Sequence, residues 1–300
     1  MSRACSVSAK RVYGKARVCR LWEVARSTHY ARQAAKTTLA PARRGRLPTV
    51  SDEALVTAIR EVLSEAEDLG FCGEGYRKVW ARLRYHGIRV SKERIRRLMG
   101  KHDLLAPHRA GHAQGPRVHD GSLIPQAPNA MWGTDATQVM TRLEGAATVF
   151  IAVDHFVGDL VGAHAARPGT RFEALEPLYQ GLREHFGPLA QGTAKGLVLR
   201  HDNGPQYVSD HFQQEAAFLG MESSPSFVRA PEGNGVAERF IRTLKEQLLW
   251  VRHFDTVEEL RQALLAFKDR YNRNWLLQRH RYRTPAQVRR DPVVPDAKAA

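Results

Sequence analysis

The chain has 300 residues, 43% of them hydrophobic, enough for two or three domains with real cores. Its net charge of +15 points to a polyanionic partner. The longest apolar runs, such as 146–153, are too short to span a bilayer, and no apolar stretch follows the early basic residues as a signal peptide would require. Three scattered cysteines, Cys5, Cys19 and Cys72, support neither a disulfide framework nor a zinc knuckle, which places the chain in a reducing, cytoplasmic setting.

Charge is segregated along the chain. Residues 1–125 carry 25 Lys and Arg against 11 Asp and Glu; residues 126–225 carry 6 against 11; residues 226–290 carry 14 against 7. An acidic middle lies between basic flanks, the pattern of a protein that holds a polyanion at its edges.

In chain order, 10–36 reads as two short helices, with Ser27 as an N-cap, and 1–38 as a possible first helix-turn-helix. Residues 39–50, rich in Pro, Ala and Arg, read as a linker. Residues 51–105 read as a helix-turn-helix-like DNA-binding domain. Ser51 or Asp52 opens its first helix, with Leu55, Ile59, Val62 and Leu63 on one face and Gly70 at its end. The second runs from about Gly75 to His86, with Val79, Trp80 and Leu83 inward, Arg77, Lys78, Arg82 and Arg84 outward, and Gly87 beyond its end. Ser91 caps the third, Lys92 to Lys101, which buries Ile95, Leu98 and Met99 and shows Lys92, Arg94, Arg96, Arg97 and Lys101. The clustered charge makes Arg77, Lys78, Arg94 and Arg97 candidate DNA contacts. Residues 106–130 contain His108, His112 and His119, but no cysteine pair accompanies them, and they read as a second linker.

From Met131 the pattern changes. Strands are predicted at 132–140, 146–154, 160–165 and 196–202, and a short one at 221–224. Helices are predicted at 170–186, where Pro177 kinks or divides the element, from Ser209 through Leu219, from Asn234 or Gly235 to about Trp250, and from Thr256 through Trp275. This gives an α/β core over 131–290 with a mixed sheet, and a tail at 291–300.

Three carboxylates stand out in this core. Asp135 sits mid-strand, Asp202 ends a strand before Asn203-Gly204, and Glu238 lies early on a helix, 35 residues beyond Asp202. Acids at the ends of buried strands are costly unless a cation compensates them, and three converging ones suit a hard divalent ion such as Mg²⁺. Lys245, two turns past Glu238, and Arg242, one turn past it, share that face and are candidate contacts to a DNA phosphate, as is Asn203 in the turn.

The contexts Trp132-Gly133-Thr134-Asp135-Ala136-Thr137, His201-Asp202-Asn203-Gly204-Pro205-Gln206-Tyr207 and Asn234 through Lys245 resemble the retroviral-integrase-type core of bacterial insertion-sequence transposases. The likeness is to the downstream product of the family encoded in two overlapping reading frames. Residues 75–80 through 104–107 are similar to that family's helix-turn-helix, and Arg283-Thr284-Pro285 to its C-terminal ending. The resemblance implies a ribonuclease-H-like fold, with a five-stranded mixed sheet, flanking helices and the preceding all-α segments. It implies two Mg²⁺ or Mn²⁺ ions held by Asp135, Asp202 and Glu238, and DNA-end contact by Lys245. Cleavage and joining of double-stranded element ends, homo-oligomers on DNA, an upstream-frame partner and a nucleoid-associated location follow from it. No His-His-Cys-Cys module accompanies these motifs, so zinc is not carried over. A DNA-binding regulator without chemistry is the alternative, and an intact acidic trio argues against it.

Overall fold

The computed structural model describes residues 3–37, 49–107, 125–226 and 234–292. Most of both linkers, with the three histidines of the second, nearly all of the tail, and Gly233 lie outside the described residues. The chain forms two compact units, 1–51 and 52–300.

The first unit holds α1 (Gly14–Leu21) and α2 (Arg26–Thr37), with Cys19 buried. Because α2 begins at Arg26, Ser27 falls inside its first turn and is not its cap.

The second unit opens with three helices: α3 (Asp52–Asp68), α4 (Tyr76–Tyr85) and α5 (Lys92–Lys101). Leu55, Ile59 and Val62 of α3, Val79 and Leu83 of α4, and Ile95, Leu98 and Met99 of α5 are all buried, as helical spacing demands. Gly70 (φ +76°) and Gly87 (φ +80°) close α3 and α4 in the left-handed conformation that favours glycine. Ser91 Oγ accepts the Arg94 amide proton and starts α5. Two expectations about the charged faces fail. Arg82 is not solvated: its side chain is 12% exposed and forks onto buried Glu74 at 2.7 and 2.8 Å. Trp80 is only half-buried and carries Arg84 and Lys92 over its ring.

The core is a five-stranded sheet of β1 (Met131–Thr141), β2 (Gly145–Asp154), β3 (Leu160–Ala166), β4 (Val198–His201) and β5 (Glu222–Pro225), in the order β3-β2-β1-β4-β5. The first three strands are antiparallel; β4 runs parallel to β1, and β5 parallel to β4. The remaining helices are α6 (Glu176–His185), α7 (Pro205–Val208), α8 (Asp210–Phe218), α9 (Gly235–Leu244), α10 (Val257–Asn274) and α11 (Pro285–Arg290). One sheet face packs Trp132, Phe150 and Leu199 against α6 and α8. The other packs Val149, Ile151 and Val153 against Phe240 and Leu244 of α9 and Leu260, Leu264 and Phe267 of α10. β2 is covered on both faces, which is why it reads as an unbroken apolar run. The mixed five-stranded sheet with flanking helices was expected from sequence and is found.

Several boundaries differ. Residues 171–175 form turns, and α6 starts only at Glu176, so Pro177 occupies the first helical turn, where its missing N–H forfeits no bond. The predicted element is therefore divided ahead of Pro177 rather than kinked at it. α7 follows Asp202-Asn203-Gly204 and was not predicted. The helix expected to reach Trp250 is α-helical only to Leu244; residues Lys245–Leu249 widen into a π turn. Inside it Gln247 exchanges two bonds of 2.9 Å with the backbone N–H and C=O of Cys72, fastening the α3–α4 loop to the core.

α6 lies so close to β3 that a methyl group at Gly162 falls on the backbone carbonyl of Pro177. Gly162→Ala therefore pushes the helix off the sheet. We expect a loss of about 2 kcal/mol in denaturant unfolding; a change below about 0.5 kcal/mol would show that the contact yields freely.

Candidate active site

Asp135 stands opposite Ile151 on β1, so its side chain shares the sheet face covered by α9 and α10. Its Oδ1 accepts the Ala136 amide proton at 2.7 Å. Burial pushes its pKa up to about 6; the Ala136 bond opposes this, the charges of Asp202 and Glu238 add to it, and Lys245 pulls the other way. Asp202 is the first residue beyond β4 and is exposed; its Oδ1 accepts from Gly204 N at 2.9 Å, closing the turn that leads into α7. Glu238, exposed in the first turn of α9, is pushed above its ordinary value by burial and then by Asp202. The fold thus brings the three carboxylates within electrostatic reach of one another, along with Lys245.

These oxygens are hard donors whose charges oppose one another, an arrangement a divalent cation would relieve. Two of the three, however, are turned toward their own backbone amides. Among the described residues no three acidic, histidine or cysteine side chains are gathered at the spacing of a shared ion.

The floor beneath them is rigid. Thr134, fully buried, donates its hydroxyl to Ile151 O at 2.8 Å, and the Tyr207 hydroxyl lies 3.4 Å from Thr134 Oγ1. Burial raises the Tyr207 pKa further above its ordinary range, so it stays protonated. His201 bonds Asp202 O through Nδ1 at 2.7 Å and Ser223 through Nε2 at 2.9 Å. A carbonyl only accepts, so Nδ1 carries the proton and Nε2 receives the serine hydroxyl. None of these supports was singled out from sequence. Thr134 and Tyr207 lay inside the quoted motifs, and only the register, not the motif, shows that they meet.

The candidate DNA contacts fall into two groups. Lys245 stands at the C-terminal end of α9, half-buried, on the Asp135 side. Arg242 turns away from Glu238 to Glu246, at 3.1 Å. Asn203 donates to Ser226 O at 2.9 Å. Arg77 is exposed and reaches Gln278 at 3.2 Å. The remaining three also have partners within the protein. Lys78 sits over the Trp275 ring. Arg94 and Arg97 both grip Asp52, at 2.6 and 3.1 Å, and Arg94 is the more enclosed of the two. Their pairing holds the Asp52 carboxyl below its usual range, the Arg94 bond first.

The HTH-like domain family matches residues 51–111, and the integrase core domain family matches residues 219–285. The transposase for insertion sequence element IS629 of Shigella sonnei is 28% identical over 71% of this chain and 73% of its own length. Transposase InsD for insertion element IS2 of Escherichia coli is 28% identical over 58% of this chain, which spans 60% of that relative. A chain of the simian T-cell lymphotropic virus intasome, solved with PP2A regulatory subunit B56 gamma, is 21% identical, with a TM-score of 0.46 over 81% of this chain and 79% of that one. The chain is similar to insertion-sequence transposases, with a match to an HTH-like domain at 51–111 ahead of a match to an integrase core domain at 219–285.

Proposed function

We propose that the chain is a DNA transposase, a polynucleotidyl transferase that cuts and joins the ends of an insertion sequence. The observation that carries this reading is that Asp135, on the sheet face covered by α9, feels the charges of both Asp202 and Glu238, at the interval read from sequence. Asp135, Asp202 and Glu238 would hold two Mg²⁺ or Mn²⁺ ions, which supply the charge that activates a water or 3′-hydroxyl and stabilises the leaving oxygen. The rest is positioning, as phosphoryl transfer requires. Lys245, on the Asp135 side, meets a phosphate next to the scissile bond. Arg242 and Asn203 stand at the rim for the flanking backbone. Tyr207, Thr134 and His201 keep the strand ends from shifting when a charged strand docks. The basic HTH-like helices supply salt-sensitive capture of the duplex, with Arg77 and Arg97 more open to a phosphate than Lys78 or Arg94. Joining two element ends calls for at least two copies on DNA, with or without an upstream-frame partner.

The test is strand cleavage and joining of duplex oligonucleotides bearing the element's terminal repeats, with Mg²⁺ or EDTA. Nicking at the terminus and transfer to target DNA, both abolished by EDTA, are expected. Tight DNA binding without any cleavage in Mg²⁺ or Mn²⁺ would instead make the chain a silent regulator.

A further inference from the structure

Asn234 occupies the N-cap position of α9 but does not cap it; its side chain makes no bond to its own helix. Asparagine at this position ordinarily accepts from the first-turn amides. Here Nδ2 reaches across to the sheet and donates to Thr134 O at 2.9 Å. The side chain is buried, 3% exposed. The β1–β4 ladder ends at the Gly133–Arg200 pair, one residue before the carbonyl that Asn234 takes.

The surroundings let the amide make this reach and hold it by little else. Gly133 lacks the methyl group that would stand 2.8 Å from Asn234 Oδ1 and collide with His155 Nε2. Those two atoms are buried without a hydrogen-bond partner. The amide orientation is therefore fixed by one bond, because a carbonyl oxygen only accepts and the amide must turn its Nδ2 toward Thr134 O. That bond joins the residue preceding Asp135 to the residue that opens the helix of Glu238, four positions along.

We propose that Asn234 is a positioning residue, a strut that sets the spacing between Asp135 on β1 and Glu238 on α9. This rests on the transposase reading. Asn234 need not touch DNA; it acts through the two carboxylates. A small change in their separation is felt as a weaker ion site and a slower reaction, since groups that orient ligands typically govern affinity about 10- to 100-fold.

The test is Asn234→Asp in the full chain. The variant keeps shape and the ability to cap, but sets an oxygen against the Thr134 carbonyl. The expected result is a cooperative melt near that of the parent, with DNA affinity unchanged within about twofold. Mg²⁺ affinity, measured by calorimetry without DNA, should fall about tenfold, and kcat for strand cleavage should fall at least as much with KM for DNA unaltered. If the aspartate does not fold, Asn234→Ser answers the same question, since it still caps α9 but is too short to reach Thr134. Parent-like Mg²⁺ affinity and kcat in a folded variant would overturn the strut. A parent protein that neither binds Mg²⁺ nor cuts DNA would overturn the transposase reading and the strut with it.

Discussion

Asp135→Asn should abolish strand cleavage, by at least about 100-fold, while making the metal-free protein more stable. Both effects have one cause. The carboxylate is half-buried against the sheet, and that burial, with two further acids adding to it, raises its pKa to about 6. A folded-state pKa above the unfolded value is a cost to the fold once the group ionises, and at pH 7 it is ionised in both states. The shift from 3.8 corresponds to about 3 kcal/mol at most, and partial solvation leaves roughly 1–2 kcal/mol. Asparagine keeps an oxygen for the Ala136 amide and removes the charge. A site that trades stability for charge density is what binding a cation demands, and a purely structural aspartate behaves in the opposite way. The check is a pair of measurements on one preparation, thermal unfolding in EDTA and cleavage in Mg²⁺. A variant that loses activity and stability together would mean that Asp135 holds the strand in place instead.

How much of this was readable beforehand depends on the range of the forces involved. Ser91, Ser209 and Thr256 cap their helices as expected, because an N-cap is decided by four neighbouring residues. The sheet strands were legible because β2 and β3 are buried on both faces and carry the composition that burial selects. Asp202 and Glu238 stood out because a strand end and a helix start mark them locally, whereas Asp135, mid-strand in β1, stood out through the motif around it.

What escaped was set by residues far away in the chain. The basic residues of α4 and α5 read as a solvated or DNA-facing surface, yet Lys78 meets Trp275, Lys92 lies near Tyr282, and Arg94 holds Asp52. The π turn at Lys245–Leu249 coincides with the clamp from Gln247 to Cys72, whose partners are 175 positions apart. The late start of α6 is the local exception, since Pro177, acceptable in a first turn and not further in, was read as kinking or dividing that element. Asn234 was read only as a possible opening of its helix; its actual acceptor, Thr134 O, lies 100 positions earlier.

Arg289→Ala is expected to cause the largest loss of stability among single changes in the core, about 3–5 kcal/mol, or roughly 10 °C in melting temperature. Arg289 on α11 bonds Asp159 at 2.7 and 2.9 Å, Asp154 at 3.2 Å and Asn129 Oδ1 at 3.0 Å. One guanidinium thereby ties the approach to β1, the end of β2, the start of β3 and the last helix. Asp154 is fully buried and already accepts from the amides of Asn129, Phe156 and Val157. Burial first, and Asp159 next, hold its pKa above the ordinary value even with the arginine present. Truncation leaves two enclosed carboxylates with no guanidinium between them. Replacing a buried ion pair with apolar groups is often neutral, but removing one partner is not, and that asymmetry is the reason for the large figure. Two further results follow. The deficit should shrink as the pH is lowered toward about 5, because a carboxylate with a raised folded pKa regains stability when protonated. Adding Asp159→Asn to Arg289→Ala should recover at least about 1 kcal/mol, since the two sites share one network. Denaturant unfolding of the parent, the single and the double variant at two pH values checks all three. A single variant within about 1 kcal/mol of the parent would show that water replaces the guanidinium and that α11 is held by its apolar contacts alone.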